Sequence, residues 1–169
     1  TGVARIGLAV RRTDPNVLYA LVANSSNGLK GVYRLDGAAG AWKTVSGAPA
    51  ALFGPSFPQG DYDLTIAVDP LDANRIFMGG SYVGVNDASI HRGIVSASGS
   101  AYSMTTTFVG SGAHPDVHML AFAPGDSNTV WVCCDGGVYR TTSATGAATF
   151  KPRNTGLATL CANFVAQHP

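Results

Sequence analysis

The chain has 169 residues, of which 46% are hydrophobic and only 12% are charged, and its formal net charge is +1. This balance excludes intrinsic disorder and offers no clustered basic face for nucleic acid. No apolar run approaches the roughly 20 residues that span a bilayer, and the length is sufficient for one domain with a hydrophobic core.

The composition favours an all-β protein. The chain contains 21 Gly and 9 Pro but no Glu. Short runs of Thr, Val, Tyr and Phe alternate with Gly, Asn and Asp, which is the pattern of strands separated by turns. Because the 3.6-residue apolar periodicity of helices is missing, no helical repeat is expected.

The first predicted unit contains four strands. Its opening strand is followed by Asp14-Pro15-Asn16, a turn signal in which Asp bonds to the nearby backbone and Pro presets φ. The chain turns again at an Asn- and Ser-rich loop and at Asp36-Gly37. The predicted strands are 5–10, 17–22, 31–35 and 41–45.

The second and third units repeat this order. Asp69-Pro70 and Ala123-Pro124 follow their opening strands, and residues 82–89 form a long insertion in the second unit. In the third unit, Asp135-Gly136-Gly137 is expected to supply the positive φ angles of a hairpin turn. The predicted strands are 63–68, 75–80, 90–95 and one from 101, then 117–122, 128–134, 138–141 and 148–152.

Four prolines mark the period of this pattern. Pro15, Pro70, Pro124 and Pro169 are 55, 54 and 45 residues apart. A period of about 40–50 residues with four strands is typical of propeller blades, and insertions widen it. We therefore predict a partial β-propeller of about three four-stranded antiparallel blades plus the first strand of a further blade. The predicted bounds are 5–47, 63–110, 116–155 and 159–169.

Three stretches also give a family resemblance. They are Asp-Pro-Asn-Val-Leu-Tyr-Ala from Asp14, Gly-Val-Tyr-Arg from Gly31, and Asp-Gly-Gly-Val-Tyr-Arg from Asp135. They resemble the BNR/Asp-box β-propellers, which include sortilin-type propellers, photosystem II assembly factors and xyloglucan-specific endoglucanases. The Asp box of that family is only partly retained here, with Trp42, Tyr102 and Phe150 at its aromatic position. The resemblance implies that these aromatic side chains pack between sheets.

About three blades do not close a ring, since propellers take about 4–8. Both end blades would then expose apolar faces, and large apolar patches are rare on monomers. We expect the chain to be a fragment of a longer propeller, whose remaining blades cover these faces. Other copies of the chain, arranged in a ring or a filament, are the alternative partners.

The segment His114-Pro115-Asp116-Val117-His118 is the most suggestive cluster of polar side chains. In an extended strand His114, Asp116 and His118 share one face, with the outer two about 13 Å apart. Because that is too far for both histidines to bind one metal ion, no metal site and no cofactor is predicted. The three side chains are candidates for ligand binding or for hydrogen bonds between blades.

Further candidates lie in the turns and insertions. Asp135 is either a carboxylate for acid/base chemistry or a residue that shapes its own turn. Tyr62 and Tyr82 are candidate stacking surfaces for sugar rings. Asp61 and Asp63 are expected to be solvated loop acids and no convincing pair for glycoside hydrolysis.

The three cysteines are Cys133, Cys134 and Cys161. Neighbouring residues of a strand point to opposite faces, so Cys133 and Cys134 are not expected to bond to each other. Cys161 is either a free thiol or the partner of one of them.

The leading functional hypothesis is a non-catalytic β-propeller segment that serves binding or assembly in an extracellular or cell-envelope protein, with glycan as a candidate ligand. One alternative is part of a carbohydrate-active glycoside hydrolase that resembles the xyloglucanase propellers. Another is a self-assembling structural subunit of a filament or ring. Nucleic acid and a membrane span are not expected.

Overall fold

The computed structural model describes residues 2–11, 13–37, 40–84 and 86–157. Within these ranges 55% of the residues lie in strands and none in a helix, which confirms the all-β prediction. The strands are β1 (Val3–Arg11), β2 (Asp14–Asn24), β3 (Leu29–Asp36), β4 (Lys43–Ser46), β5 (Thr65–Val68), β6 (Arg75–Val83), β7 (Asp87–Ser98), β8 (Ala101–Phe108), β9 (Val117–Phe122), β10 (Val130–Cys134), β11 (Gly137–Thr141) and β12 (Lys151–Pro152).

The strands form three consecutive antiparallel units of four strands, which we call the first unit (β1–β4), the second unit (β5–β8) and the third unit (β9–β12). The first and second units join into one eight-stranded sheet, because β4 pairs in parallel with β8 at Val45–Tyr102 and Ser46–Ser103. Since β1 also lies against β5, this sheet is nearly closed and barrel-like. The third unit is a separate sheet, with β9 against β5 and β6.

The same side-chain hydrogen bond recurs near the start of the second strand of each unit. An Asp carboxylate accepts the backbone N–H of the Asn two residues later, which satisfies a turn donor locally. The three bonds join Asn16 N to Asp14 Oδ1 (3.2 Å), Asn74 N to Asp72 Oδ1 (2.9 Å) and Asn128 N to Asp126 Oδ1 (2.8 Å).

Strand β6 separates two hydrophobic cores. Ile76 and Met78 are buried between the first and second units, whereas Phe77 is buried between the second and third. Successive side chains of a strand point to opposite faces, so one strand serves both cores. Burying each such large side chain stabilises the fold by about 1.5–3 kcal/mol. Other fully buried side chains are Tyr19, Leu21, Val32, Val45, Leu52 and Phe53 in the first core, and Ile90 and Val117 in the second.

Two segments predicted as turn or insertion belong to strands instead. Strand β2 already begins at Asp14, because Asp14 pairs with Arg11 across a tighter hairpin. The insertion 82–89 extends β6 and β7, with Val83 opposite Asp87. In both places strand pairing satisfies backbone groups that a loop would leave to water.

Two of the aromatic residues at the Asp-box position, Trp42 and Phe150, differ in burial. Phe150 is 2% exposed in the second core, in agreement with the implied role. Trp42 is 45% exposed, so its expected packing between sheets is wrong. It lies beside Ile6, Leu8 and Tyr33 on a face of the first unit that no other described unit covers.

Cys133 and Cys134 are free thiols, the first half-buried and the second buried. Burial raises the pKa of the Cys134 thiol to about 11. Residues 158–169, which include Cys161 and the whole of the predicted segment 159–169, lie outside the described residues. Across the described ranges, no helix is long and apolar enough to cross a membrane.

Candidate functional site

The candidate site lies where the second and third units meet, at the ends of several strands. Asp63 stands just before β5 and Asp116 just before β9, so that two opening strands begin side by side. Ser81 comes from the end of β6, and Asp135 from the turn between β10 and β11. Antiparallel pairing brings these strand ends to one edge, although the residues are far apart in the chain.

His118 occupies the centre of this group. Its Nε2 lies 2.6 Å from Asp135 Oδ1, and its Nδ1 lies 3.8 Å from Asp63 Oδ1. The Tyr62 ring meets the imidazole edge to face, with centroids 4.8 Å apart, and the Tyr62 hydroxyl lies 3.5 Å from Asp135 Oδ1. The imidazole is therefore fixed by a carboxylate near each nitrogen and by an aromatic ring on one side.

Asp63 is completely buried, which contradicts its predicted role as a solvated loop acid. Burial is the largest cause that raises its pKa, and together with the carboxylates of Asp116 and Asp135, and against a smaller lowering effect of Arg5, it brings the pKa to about 8. Neither carboxylate oxygen accepts a hydrogen bond from the described residues. A buried acid beside a second carboxylate is favoured in its neutral form.

Asp116 has a backbone φ of 64°, in the left-handed region. The segment 114–118 is therefore not one extended strand, and the expectation that His114, Asp116 and His118 share a strand face is wrong. Asp116 Oδ1 accepts the Ser81 hydroxyl at 2.9 Å, and its backbone N–H donates to the Ser81 carbonyl. These two bonds tie the start of β9 to the end of β6.

The β10–β11 turn presses against His114. A Cβ on Gly136 would lie 2.4 Å from the Cβ of His114, so only glycine permits this approach. Of the two turn glycines only Gly137 has a positive φ, of 101°, whereas both were expected to supply one. Asn154 braces the turn, because it accepts the Val138 N–H and donates to the Gly136 carbonyl. The Asp135 carboxylate points to His118.

An open depression of about 540 Å³ adjoins this network. Tyr82 and His114 line it together with Asp116, so three of the predicted residues meet there. Tyr62, His118 and Asp135 form the contact group described above, and Asp116 lies between the two groups. All six predicted residues are thus neighbours, directly or through one intermediate side chain.

The sequence interpretation did not include Ser81. Gln59 also lines the depression, and its Oε1 lies 2.8 Å from the Ser81 hydroxyl. Nothing in the local pattern marks Ser81, since it follows two glycines of an apolar strand. The burial of Asp63 had a signal, because an apolar run begins at Leu64 directly after it. Among the described residues, no group of three or more His, Cys, Asp or Glu side chains has the arrangement to hold a metal ion.

No protein-family model matches the chain, and no curated protein matches it significantly.

Proposed function

We propose that the three units are blades of a β-propeller and that the chain is a non-catalytic binding segment of it. Each unit is a four-stranded antiparallel meander, and the opening strands β1, β5 and β9 lie side by side in chain order. The recurrent Asp–Asn turn bond supports the same repeat. Opening strands that surround a central channel are characteristic of propellers. The loops before β5 and β9 would then open at one mouth of that channel.

The single observation that carries a binding role over a catalytic one is the burial of Asp63. A general acid must reach the substrate within hydrogen-bond distance. Asp63 has the raised pKa of such an acid, yet its side chain is completely buried. A glycosidase also needs two carboxyl groups about 5–9.5 Å apart with the substrate between them, whereas Asp63 lies against Asp116. Asp63 is therefore a buried structural group of the site and not an acid that protonates a ligand.

A carbohydrate is the ligand class that the lining of the depression favours. Ligand sites combine apolar and aromatic walls with a few polar groups that fix orientation. Tyr82 supplies a ring, Gln59 an amide with both donors and an acceptor, and Asp116 a carboxylate acceptor for sugar hydroxyl groups. Glycan binding also agrees with an extracellular or cell-envelope location, which is part of the proposal.

Isothermal titration of the full chain with xyloglucan heptasaccharide and cellohexaose tests this function. We expect one-site binding to at least one of these probes, and a loss of affinity of roughly tenfold or more in Tyr82→Ala, because aromatic anchors dominate such sites. Leu71→Ala is the matched control. Leu71 is an exposed apolar residue at the other end of β6, and its removal should leave the affinity unchanged.

Two results would overturn the proposal. One is equal affinity in the wild type and Tyr82→Ala, or no binding of either oligosaccharide. The other is release of reducing sugar by the purified chain that disappears in Asp135→Asn, since this would identify a glycoside hydrolase.

A further inference from the structure

The first unit has one apolar face that no described part of the chain covers. On β1, Gly7 and Ala9 face the second unit, and a Cβ on Gly7 would lie 2.5 Å from Leu64. The alternate side chains point the other way. They are Ile6, Leu8 and Val10, which are 54%, 64% and 48% exposed. We call these three residues, together with Trp42, the leading face.

Strand register identifies the buried counterpart of this face. Val10 pairs with Leu18 near the end of the first hairpin, as Val68 pairs with Ile76 in the second unit. Leu8 therefore corresponds to Ile66 and Val10 to Val68. Ile66 and Val68 are buried in the core shared with the first unit. The leading face thus has the composition of a surface that this fold buries against a neighbouring unit.

The complementary face of each unit is the one that contacts the following unit. In the first unit Arg34 pairs across strands with the buried Tyr19 and donates a hydrogen bond at 2.6 Å to Asn74 Oδ1 of the second unit. In the second unit Arg92 stands opposite Phe77 and donates at 2.8 Å to the Ala144 carbonyl of the third unit. Each arginine therefore reaches into the unit that follows.

The third unit has the same pair, but the described part of the chain contains no unit after it. Arg140 stands opposite Trp131 and lies over its ring at 5.3 Å, but its buried Nε has no hydrogen-bond partner among the described residues. A buried donor of a charged group that lacks a hydrogen-bond partner is energetically unfavourable. Met119 on the same side of β9 is 54% exposed. We call Met119, Trp131 and Arg140 the trailing face.

We propose that the trailing face of one copy binds the leading face of a second copy, head to tail, so that two copies close a ring of six units. This inference rests on the proposed blade arrangement. In the second copy, Asn16 occupies the position that corresponds to Asn74, the partner of Arg34. Asn16 is exposed, so it is the expected partner of Arg140. Six units lie within the range of about 4–8 that propellers adopt, whereas three or nine do not. Head-to-tail contacts that close in this way give a finite assembly instead of a filament.

The experiment is light scattering coupled to size exclusion on the full chain at increasing concentration. The expected mass is twice the chain mass of 17.3 kDa. Leu8→Lys disrupts the leading face and Met119→Lys the trailing face, so each variant alone should be monomeric. Leu71→Lys is the matched control, because Leu71 is 60% exposed on a turn, and it should remain dimeric. Circular dichroism establishes that every variant is folded.

Mixing the two monomeric variants gives the sharpest outcome. In the mixture one interface joins an intact trailing face to an intact leading face, so a heterodimer should form. A monomeric wild type, a dimeric Met119→Lys, or a mixture that stays monomeric would overturn the pairing. A species larger than two copies would indicate a filament and would also contradict it. A monomer that still binds oligosaccharide refutes only the pairing, whereas a dimer without sugar binding refutes only the proposed ligand.

Discussion

His118 Nε2 lies 2.6 Å from Asp135 Oδ1, while the other ring nitrogen lies 3.8 Å from Asp63 Oδ1 of the second unit. One imidazole therefore links the turn of the third unit to the loop that begins the second. Because Asp63 is buried in this link and has a raised pKa, the protonation of Asp63 is coupled to the stability of the junction.

Replacement of Asp63 by Asn should change how stability depends on pH. Asp63 has an ordinary pKa of 3.8 in the unfolded chain and about 8 in the fold. Between these values the folded state holds a proton that the unfolded state has lost, so rising pH favours unfolding. We expect the wild type to lose stability from about pH 4 to about pH 8 relative to Asp63→Asn, in urea unfolding followed by tryptophan fluorescence.

Asp126→Asn provides a control of opposite sign. Hydrogen bonds from Thr129 and Asn128 lower the pKa of Asp126, so its contribution is present at neutral pH and is lost as the pH falls. This variant should be destabilised at neutral pH and less so in acid. Parallel curves for the wild type and Asp63→Asn across this range would contradict the burial of a neutral acid.

Replacement of Gly136 by Ala should displace His114. The added Cβ would lie 2.4 Å from the His114 Cβ, and strain of this kind costs about 1–3 kcal/mol. Gly146→Ala is the matched control, because nothing lies within 3.9 Å of its Cβ position and the change should stay within about 0.5 kcal/mol. Equal stability of the two variants in urea, with unshifted His114 NMR resonances in Gly136→Ala, would show that the turn does not press on His114.

The strands were largely predictable because their side chains alternate, and β9 occupies the predicted residues 117–122. The pairing of β4 with β8 was not predictable, because the two strands are far apart in the chain and only four residues take part in it. The residues of the site could be predicted from the chemistry of their side chains. The role of Asp63 could not, because it depends on the residues that bury it. The left-handed φ of Asp116 likewise comes from contacts with Ser81, which no local pattern reveals.

Two of the Asp-box aromatic residues, Trp42 and Phe150, should differ sharply in their effect on stability. Phe150→Ala removes a side chain that is 2% exposed and leaves a cavity in the second core, at a cost of about 3–5 kcal/mol. Trp42→Ala removes a side chain that is 45% exposed, and the isolated chain should lose less than about 1 kcal/mol. The measurement is urea unfolding at low protein concentration, where association does not contribute. Similar losses in both variants would mean that Trp42 is buried in solution.

Arg34 should couple energetically to Asn74 across the junction of the first and second units. Arg34 is 8% exposed and lies between the rings of Tyr19 and Tyr102, at 5.4 and 4.8 Å from their centroids. Its bond to Asn74 Oδ1 is charge-assisted, which makes it stronger than a neutral one. We expect Arg34→Met to cost about 2–4 kcal/mol, because Asp36 and Asn74 both lose a charged donor.

A double-mutant cycle with Asn74→Ala separates this bond from the other contacts of Arg34. Residues in one hydrogen-bond network show coupling of about 0.5–3 kcal/mol, and a value in that range is expected here. Arg153→Met controls for the substitution itself, because the Arg153 guanidinium is exposed and bonds only to the Pro152 carbonyl among the described residues. It should change stability by less than about 0.5 kcal/mol. If the Arg34 and Asn74 substitutions are additive, the arginine does not hold the two units together through this asparagine, and the trailing-face argument for Arg140 loses its precedent.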